Sequence, residues 1–143
     1  MLAQRRLTAA QLHAKLTRKG FDDAVAEEAV ASCARDGLVD DALYATLYVE
    51  SKRAAVGDAR LVAELVKRGI DRDAAQRSVA TAESDQPARA AAAYDKMRRI
   101  DPNLSYGAAA RKLERLGFPA SLVYRVLRER AGEDYEEFFA DLA

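Results

Sequence analysis

Three glycines set the terms on which this chain can fold. Gly20, Gly69 and Gly117 close the phrases Leu16-Thr17-Arg18-Lys19-Gly20-Phe21, Leu65-Val66-Lys67-Arg68-Gly69-Ile70 and Leu113-Glu114-Arg115-Leu116-Gly117-Phe118, and they stand 49 and 48 residues apart. Each follows a run with helical periodicity. Glycine takes the left-handed conformation without a Cβ penalty, and the apolar residue after it can fold back on the leucine four before it. Basic side chains gathered ahead of each glycine suit the negative end of a helix dipole. Each phrase therefore reads as a helix stop, and a near-constant period of this length is that of a helical repeat.

Other positions keep step. Eight before each glycine stand Leu12, Leu61 and Ala109, ten after stand Val30, Val79 and Leu127, and twelve before stand Thr8, Gly57 and Ser105, all suited to an N-cap. The units run 1–56, 57–104 and 105–143, each long enough for three helices of about 10–15 residues. Half of the 143 residues are apolar, with only 7 glycines and 3 prolines, a composition that favours helix throughout. The expectation is an all-α fold of tandem three-helix repeats, three units and about nine helices, in an elongated arrangement. Helices are predicted near 8–19, 22–36, 40–55, 58–68, 71–84, 87–100, 105–116, 119–131 and 134–141. Asp22, Asp40 and Asp71 are the clearest caps, and Thr8 with Gln11 forms a capping box. Pro102 interrupts the pattern within Ile100–Ser105, the place for a hinge before the third repeat.

Equal numbers of basic and acidic residues, 23 each, give no net charge, yet the signs are segregated. Residues 1–20 carry +5, 21–50 carry −7, 51–72 carry +3, 94–130 carry +5 and 131–143 carry −5. The basic share falls on the first helix of each unit and its surroundings. Stacked in register, those helices align a cationic stripe from Lys52, Arg53, Arg60, Lys67, Arg68, Arg111 and Lys112. The competing reading is a set of solvated faces with dipole-matched ends.

The usual catalytic arrangements lack their parts. His13 is the single histidine, and its repeat equivalents are Val62 and Ala110, which favours a structural imidazole over a catalytic one. Cys33, the single cysteine, excludes an internal disulfide and a multi-cysteine metal site. The pairs Asp22–Asp23, Asp40–Asp41 and Glu136–Glu137 are sequence neighbours that do not share a helix face. No glycine-rich phosphate loop or nucleophile elbow occurs. No catalytic residue, metal site or cofactor is expected. No apolar run approaches the length of a membrane span and no leader opens the chain, so a soluble cytoplasmic protein is expected, without a membrane partner.

Between Gly37 and Arg53 the sequence reads GLVDDALYATLYVESKR. Val39-Asp40-Asp41, Tyr44-Ala45, Tyr48-Val49 and Lys52-Arg53, followed by Glu64-Leu65-Val66-Lys67-Arg68-Gly69-Ile70, resemble the pattern of the RecX family, regulators of the bacterial recombinase RecA. The phrases at Leu16–Phe21 and Leu113–Phe118 fit it too, so the likeness covers nearly the whole chain. The resemblance implies tandem three-helix repeats that lodge, as a monomer, in the groove of the RecA filament on single-stranded DNA. It further implies that extension of the filament is blocked and that ATP hydrolysis and recombination fall, modulating DNA repair and the SOS response. Many members also bind DNA weakly. Two other readings stay open: a sequence-independent nucleic-acid binder, and a helical scaffold for another protein.

Overall fold

A computed structural model of the chain describes residues 6–82 and 85–132. Eight helices follow one another: α1 Ala9–Arg18, α2 Asp23–Arg35, α3 Asp41–Lys52, α4 Asp58–Lys67, α5 Arg72–Thr81, α6 Gln86–Ile100, α7 Tyr106–Arg115 and α8 Ala120–Ala131. The described residues contain no strand. The helix expected at 134–141 lies outside them. Two expected helices stop earlier: α3 ends at Lys52 rather than near 55, and α5 at Thr81 rather than near 84.

The three glycine phrases close their helices identically. Gly20, Gly69 and Gly117 have φ of 98°, 93° and 98°. The N–H of the residue after each reaches back five positions, Phe21 to the Leu16 carbonyl at 3.3 Å, Ile70 to Leu65 at 3.1 Å and Phe118 to Leu113 at 3.2 Å. With the glycine N–H bonded to the carbonyl three before it, this is the Schellman arrangement, which satisfies carbonyls that the helix end would orphan. A fourth such stop, at Gly37 with φ 73°, ends α2, and nothing in the repeat phrase announces it.

Helix starts follow the capping residues. Thr8 and Gln11 complete the capping box, and Asp71, Asp85 and Ser105 accept from the N–H three residues on. Asp40 does the same for Leu43, while Asp22 stands at its N-cap without a side-chain bond.

By their contacts the helices divide into two compact units. Unit 1 holds residues 6–51 and 62–82, and unit 2 holds 52–61 and 85–132, so α4 runs through both. In unit 1, Ala26, Ala45, Val49, Leu65, Ala75 and the hydroxyl-bearing Thr8 are all but fully buried. In unit 2, α6, α7 and α8 pack on one another around Ala90, Tyr94, Ala109, Leu113, Phe118, Val123 and Leu127. Leucine and valine dominate where helices meet, and alanine lets them approach.

One contact appears in each unit in the same form. In unit 1 the Thr8 hydroxyl, at the N-cap of α1, donates to the Arg68 carbonyl at 2.6 Å. In unit 2 the Gly57 N–H, at the start of α4, donates to the Leu116 carbonyl at 2.7 Å. Arg68 and Leu116 each immediately precede a stop glycine. The start of one repeat's first helix is thus seated on the stop of the next repeat's first helix, and the fit leaves no room. A Cβ on Gly69 would stand 2.2 Å from the Ala10 Cβ, and one on Gly117 2.4 Å from the Arg60 Cβ. The glycines are required twice, for the turn and for the approach.

Candidate protein-docking surface

The seven cations of the expected stripe have different surroundings. Lys52 closes α3, Lys67 closes α4, and Arg111 and Lys112 lie on α7 opposite its buried Ala109, Ala110 and Leu113; all four are exposed. Their ammonium and guanidinium groups face water and cost nothing to present. Arg60, also exposed, leans on the third repeat, its Nη1 donating to the Arg115 carbonyl at 3.3 Å. Arg53, half-buried, lends its carbonyl to Arg89. By chain position, Lys52, Arg53, Arg60, Arg111 and Lys112 belong to unit 2, and Lys67 and Arg68 to unit 1.

Arg68 is committed internally. Its guanidinium lies over the Tyr48 ring at 4.3 Å, and its Nη1 is sealed from water without a hydrogen-bond acceptor. Burial lowers its pKa, but Tyr48, Tyr44 and Glu64 outweigh that, and the net shift is upward, so the cation is held rather than offered. This gives Tyr48 a partner that sequence reasoning did not assign. Tyr44 and Tyr48 are half-buried beside the fully buried Ala45 and Val49, as their spacing on α3 implies.

A cation the sequence did not single out organises unit 2. Arg89, on α6 and 11% exposed, donates from Nε to the Arg53 carbonyl at 2.6 Å and from Nη2 to the Val56 carbonyl at 2.6 Å, and pairs with Asp58 at 2.9 Å. It ties the connection between α3 and α4 to α6. Arg98 does similar work further on: its Nη1 donates to the Leu104 carbonyl and its guanidinium lies 5.9 Å from the Tyr106 ring, bracing the Pro102 connection.

Unit 2 also opens a groove of about 620 Å³, lined by Ala54, Ala55, Ala92, Ala93, Met97 and Leu116 together with Lys96, Arg99 and the exposed Ile100. Small side chains make it. The alanine run 90–93 reads in sequence as helix propensity alone, which is why the concavity was not foreseen. A mostly apolar lining that includes two cations suits a protein surface that carries apolar and acidic side chains.

In unit 1 the Gly20 turn brings together groups ten residues apart: His13 Nε2 stands 2.7 Å from Asp23 Oδ1, and Glu27 lies one turn further along α2. One ligand atom from each falls within 4.8 Å of the others, the single grouping of this kind among the described residues. The carboxylates are exposed, and the His13–Asp23 contact accounts for the geometry. Cys33 is half-buried and free.

Helices that start and stop by the same devices at a period of 48–49 residues define a tandem helical-repeat protein. Residues 1–33 match the family model described as RecX, first three-helix domain. The chain is 32% identical over 142 residues to "Regulatory protein RecX" of Amycolatopsis mediterranei, covering 93% of this chain and 80% of that one. It is 35% identical to the protein of the same name in Thermobifida fusca, covering 85% and 70%. Against that of Pseudomonas entomophila the identity is 30%, with 91% and 86% covered. The crystal structure of RecX from Lactobacillus salivarius superposes with a TM-score of 0.75 at 18% identity, covering 90% of this chain and 88% of that chain. The chain belongs to the RecX family.

Proposed function

We propose that this protein binds the RecA nucleoprotein filament on single-stranded DNA and restrains its extension. ATP hydrolysis and recombination by the filament then fall, and DNA repair and the SOS response are modulated through it. It acts by contact in the cytoplasm, without covalent chemistry of its own. The observation that carries this reading is likeness along most of the chain to relatives named as regulatory proteins, of which it covers 70–86% in three cases. The physics of the surface supports it: exposed Lys52, Lys67, Arg111 and Lys112 supply attraction and steering, and the groove at Met97 supplies apolar grip. Arg53, Arg60 and Arg68 contribute mainly by holding the repeats that carry this surface.

The test follows from that division. Lys52, Lys67, Arg111 and Lys112 are reversed to Glu together, helicity and melting are checked, and RecA's DNA-dependent ATP hydrolysis is followed across a concentration series. Half-inhibition is expected to need at least about tenfold more of the variant. Equal potency rejects these four cations as contacts, and a parent protein that never inhibits rejects the function. Direct binding to single-stranded DNA, measured without RecA, separates the nucleic-acid reading, because counterion release makes such binding fall steeply with salt.

A further inference from the structure

Among the described residues, the contact that joins successive repeats leaves one acceptor and one donor unused. Two stop turns are occupied, that of α4 by Thr8 and Ala10 and that of α7 by Gly57 and Arg60. The third, at Gly20 after α1, has the same φ and the same Schellman bonds, yet nothing among the described residues lies within 4 Å of the place its Cβ would take. Among the described residues no group donates to the Lys19 carbonyl, the equivalent of the Arg68 and Leu116 carbonyls. Phe21 beside it is 51% exposed, against 4% for Ile70 and 3% for Phe118.

The unused donor stands at α7. Ser105 occupies the register of Thr8 and Gly57 and is exposed; its Oγ accepts from the Ala108 N–H, as the Thr8 hydroxyl accepts from Gln11, which leaves its O–H proton to give. Two residues on, where Ala10 presses against Gly69, stands Gly107, whose missing Cβ would meet only the Arg111 Nη1 at 3.5 Å. Donor, small residue and helix N-terminus repeat the unit 1 contact in order, with the smallest side chain at the tightest place.

We propose that the Gly20 turn takes the N-terminus of α7 from a second copy of this chain, Ser105 donating to the Lys19 carbonyl and Gly107 lying against Gly20. The surfaces differ, so the association is heterologous: each copy keeps one free turn and one free helix start, and growth continues with concentration. The inference stands apart from the proposed action on RecA, since its test contains no recombinase.

Two substitutions block opposite ends. Gly20→Asn keeps a residue that tolerates the left-handed turn while filling the acceptor, and Gly107→Leu fills the donor side where the single chain has room. Gly107→Ala reproduces Ala10 and serves as the permissive control. Sedimentation velocity over a rising concentration series, after melting curves have confirmed each fold, is expected to show the parent and Gly107→Ala passing to two copies and beyond. Gly20→Asn and Gly107→Leu each stay single, and their equimolar mixture stops at two copies, because one intact turn meets one intact helix start. A parent that stays single at every concentration overturns the proposal. So do Gly107→Leu associating like the parent, and a mixture of the two blocked variants that stays single.

Discussion

Gly20, Gly69 and Gly117 share a backbone conformation and differ in what surrounds them, so one substitution has unequal costs at the three. Alanine at Gly20 meets only the left-handed penalty, about 1–2 kcal/mol. At Gly69 and Gly117 the new Cβ also collides with Ala10 and Arg60, and the expected loss is about 2–5 kcal/mol. Denaturant unfolding of the three variants checks this, and equal losses would show that the close approach carries no weight. Tyr94, 5% exposed in the core of unit 2, gives the stability its pH dependence on the alkaline side. Burial raises its phenol above the ordinary 10.0, against the lowering effect of Arg98. The folded state therefore holds the proton more tightly than the unfolded chain. Stability from this group is complete below pH 10 and declines as pH climbs toward the folded value. Tyr94→Phe should flatten that decline in melting curves taken through the alkaline range. The glycines were legible in sequence because the left-handed turn is a local requirement; the second reason for two of them, and the burial of Tyr94, came only with neighbours distant in the chain.

Helices α1, α4 and α7 begin and end by the same devices but sit in different company. Leu61 and Leu65 on α4, and Ala109 and Leu113 on α7, are buried to 1% or less, whereas α1 has no fully buried residue. Burial is therefore set by which elements cover a helix and not by the phrase that writes it. The connection from α3 to α4 depends on a single side chain from α6. Arg89 bonds the Arg53 and Val56 carbonyls with two nitrogens and pairs with Asp58 through a third. A lysine, with its point charge, cannot span that fork. Arg89→Lys is expected to cost about 1.5–3 kcal/mol in equilibrium unfolding while leaving helix content near that of the parent. An unchanged midpoint would show that the backbone there closes without the clamp. Sequence reading extended α3 to 55 for want of this knowledge, since residues 53–55 have adequate helix propensity and only the guanidinium's demand for free carbonyls favours the turn.

At the scale of the molecule, repeats in sequence and units in space are cut differently. The repeat period places a boundary at 56–57, while the compact units divide α4 between residues 61 and 62. Leu65 and Leu113 hold equivalent places, one in each unit, and both are 0% exposed. Leu113→Ala should cost about 2–5 kcal/mol. By native-state hydrogen exchange the loss should appear first in the amides of α6, α7 and α8, with α1 and α2 keeping protection nearer that of the parent. Uniform loss across all eight helices would mean that the two units open as one.

Helix as the sole regular element of the described residues, the three stops with their leucine–glycine–apolar phrases, most of the caps and the family pattern were determined by the sequence itself. Each depends on contacts within about six residues, which a single chain spells out in order. Tertiary structure alone decided that Thr8 and Gly57 seat on the stops of the following repeats, that Arg68 spends its charge over Tyr48, and that Arg89 holds a connection more than 30 residues away. It also made a groove of alanines and left the Gly20 turn open. These depend on which surfaces meet, and a repeat writes similar surfaces three times; only packing shows which copies are covered and which face water.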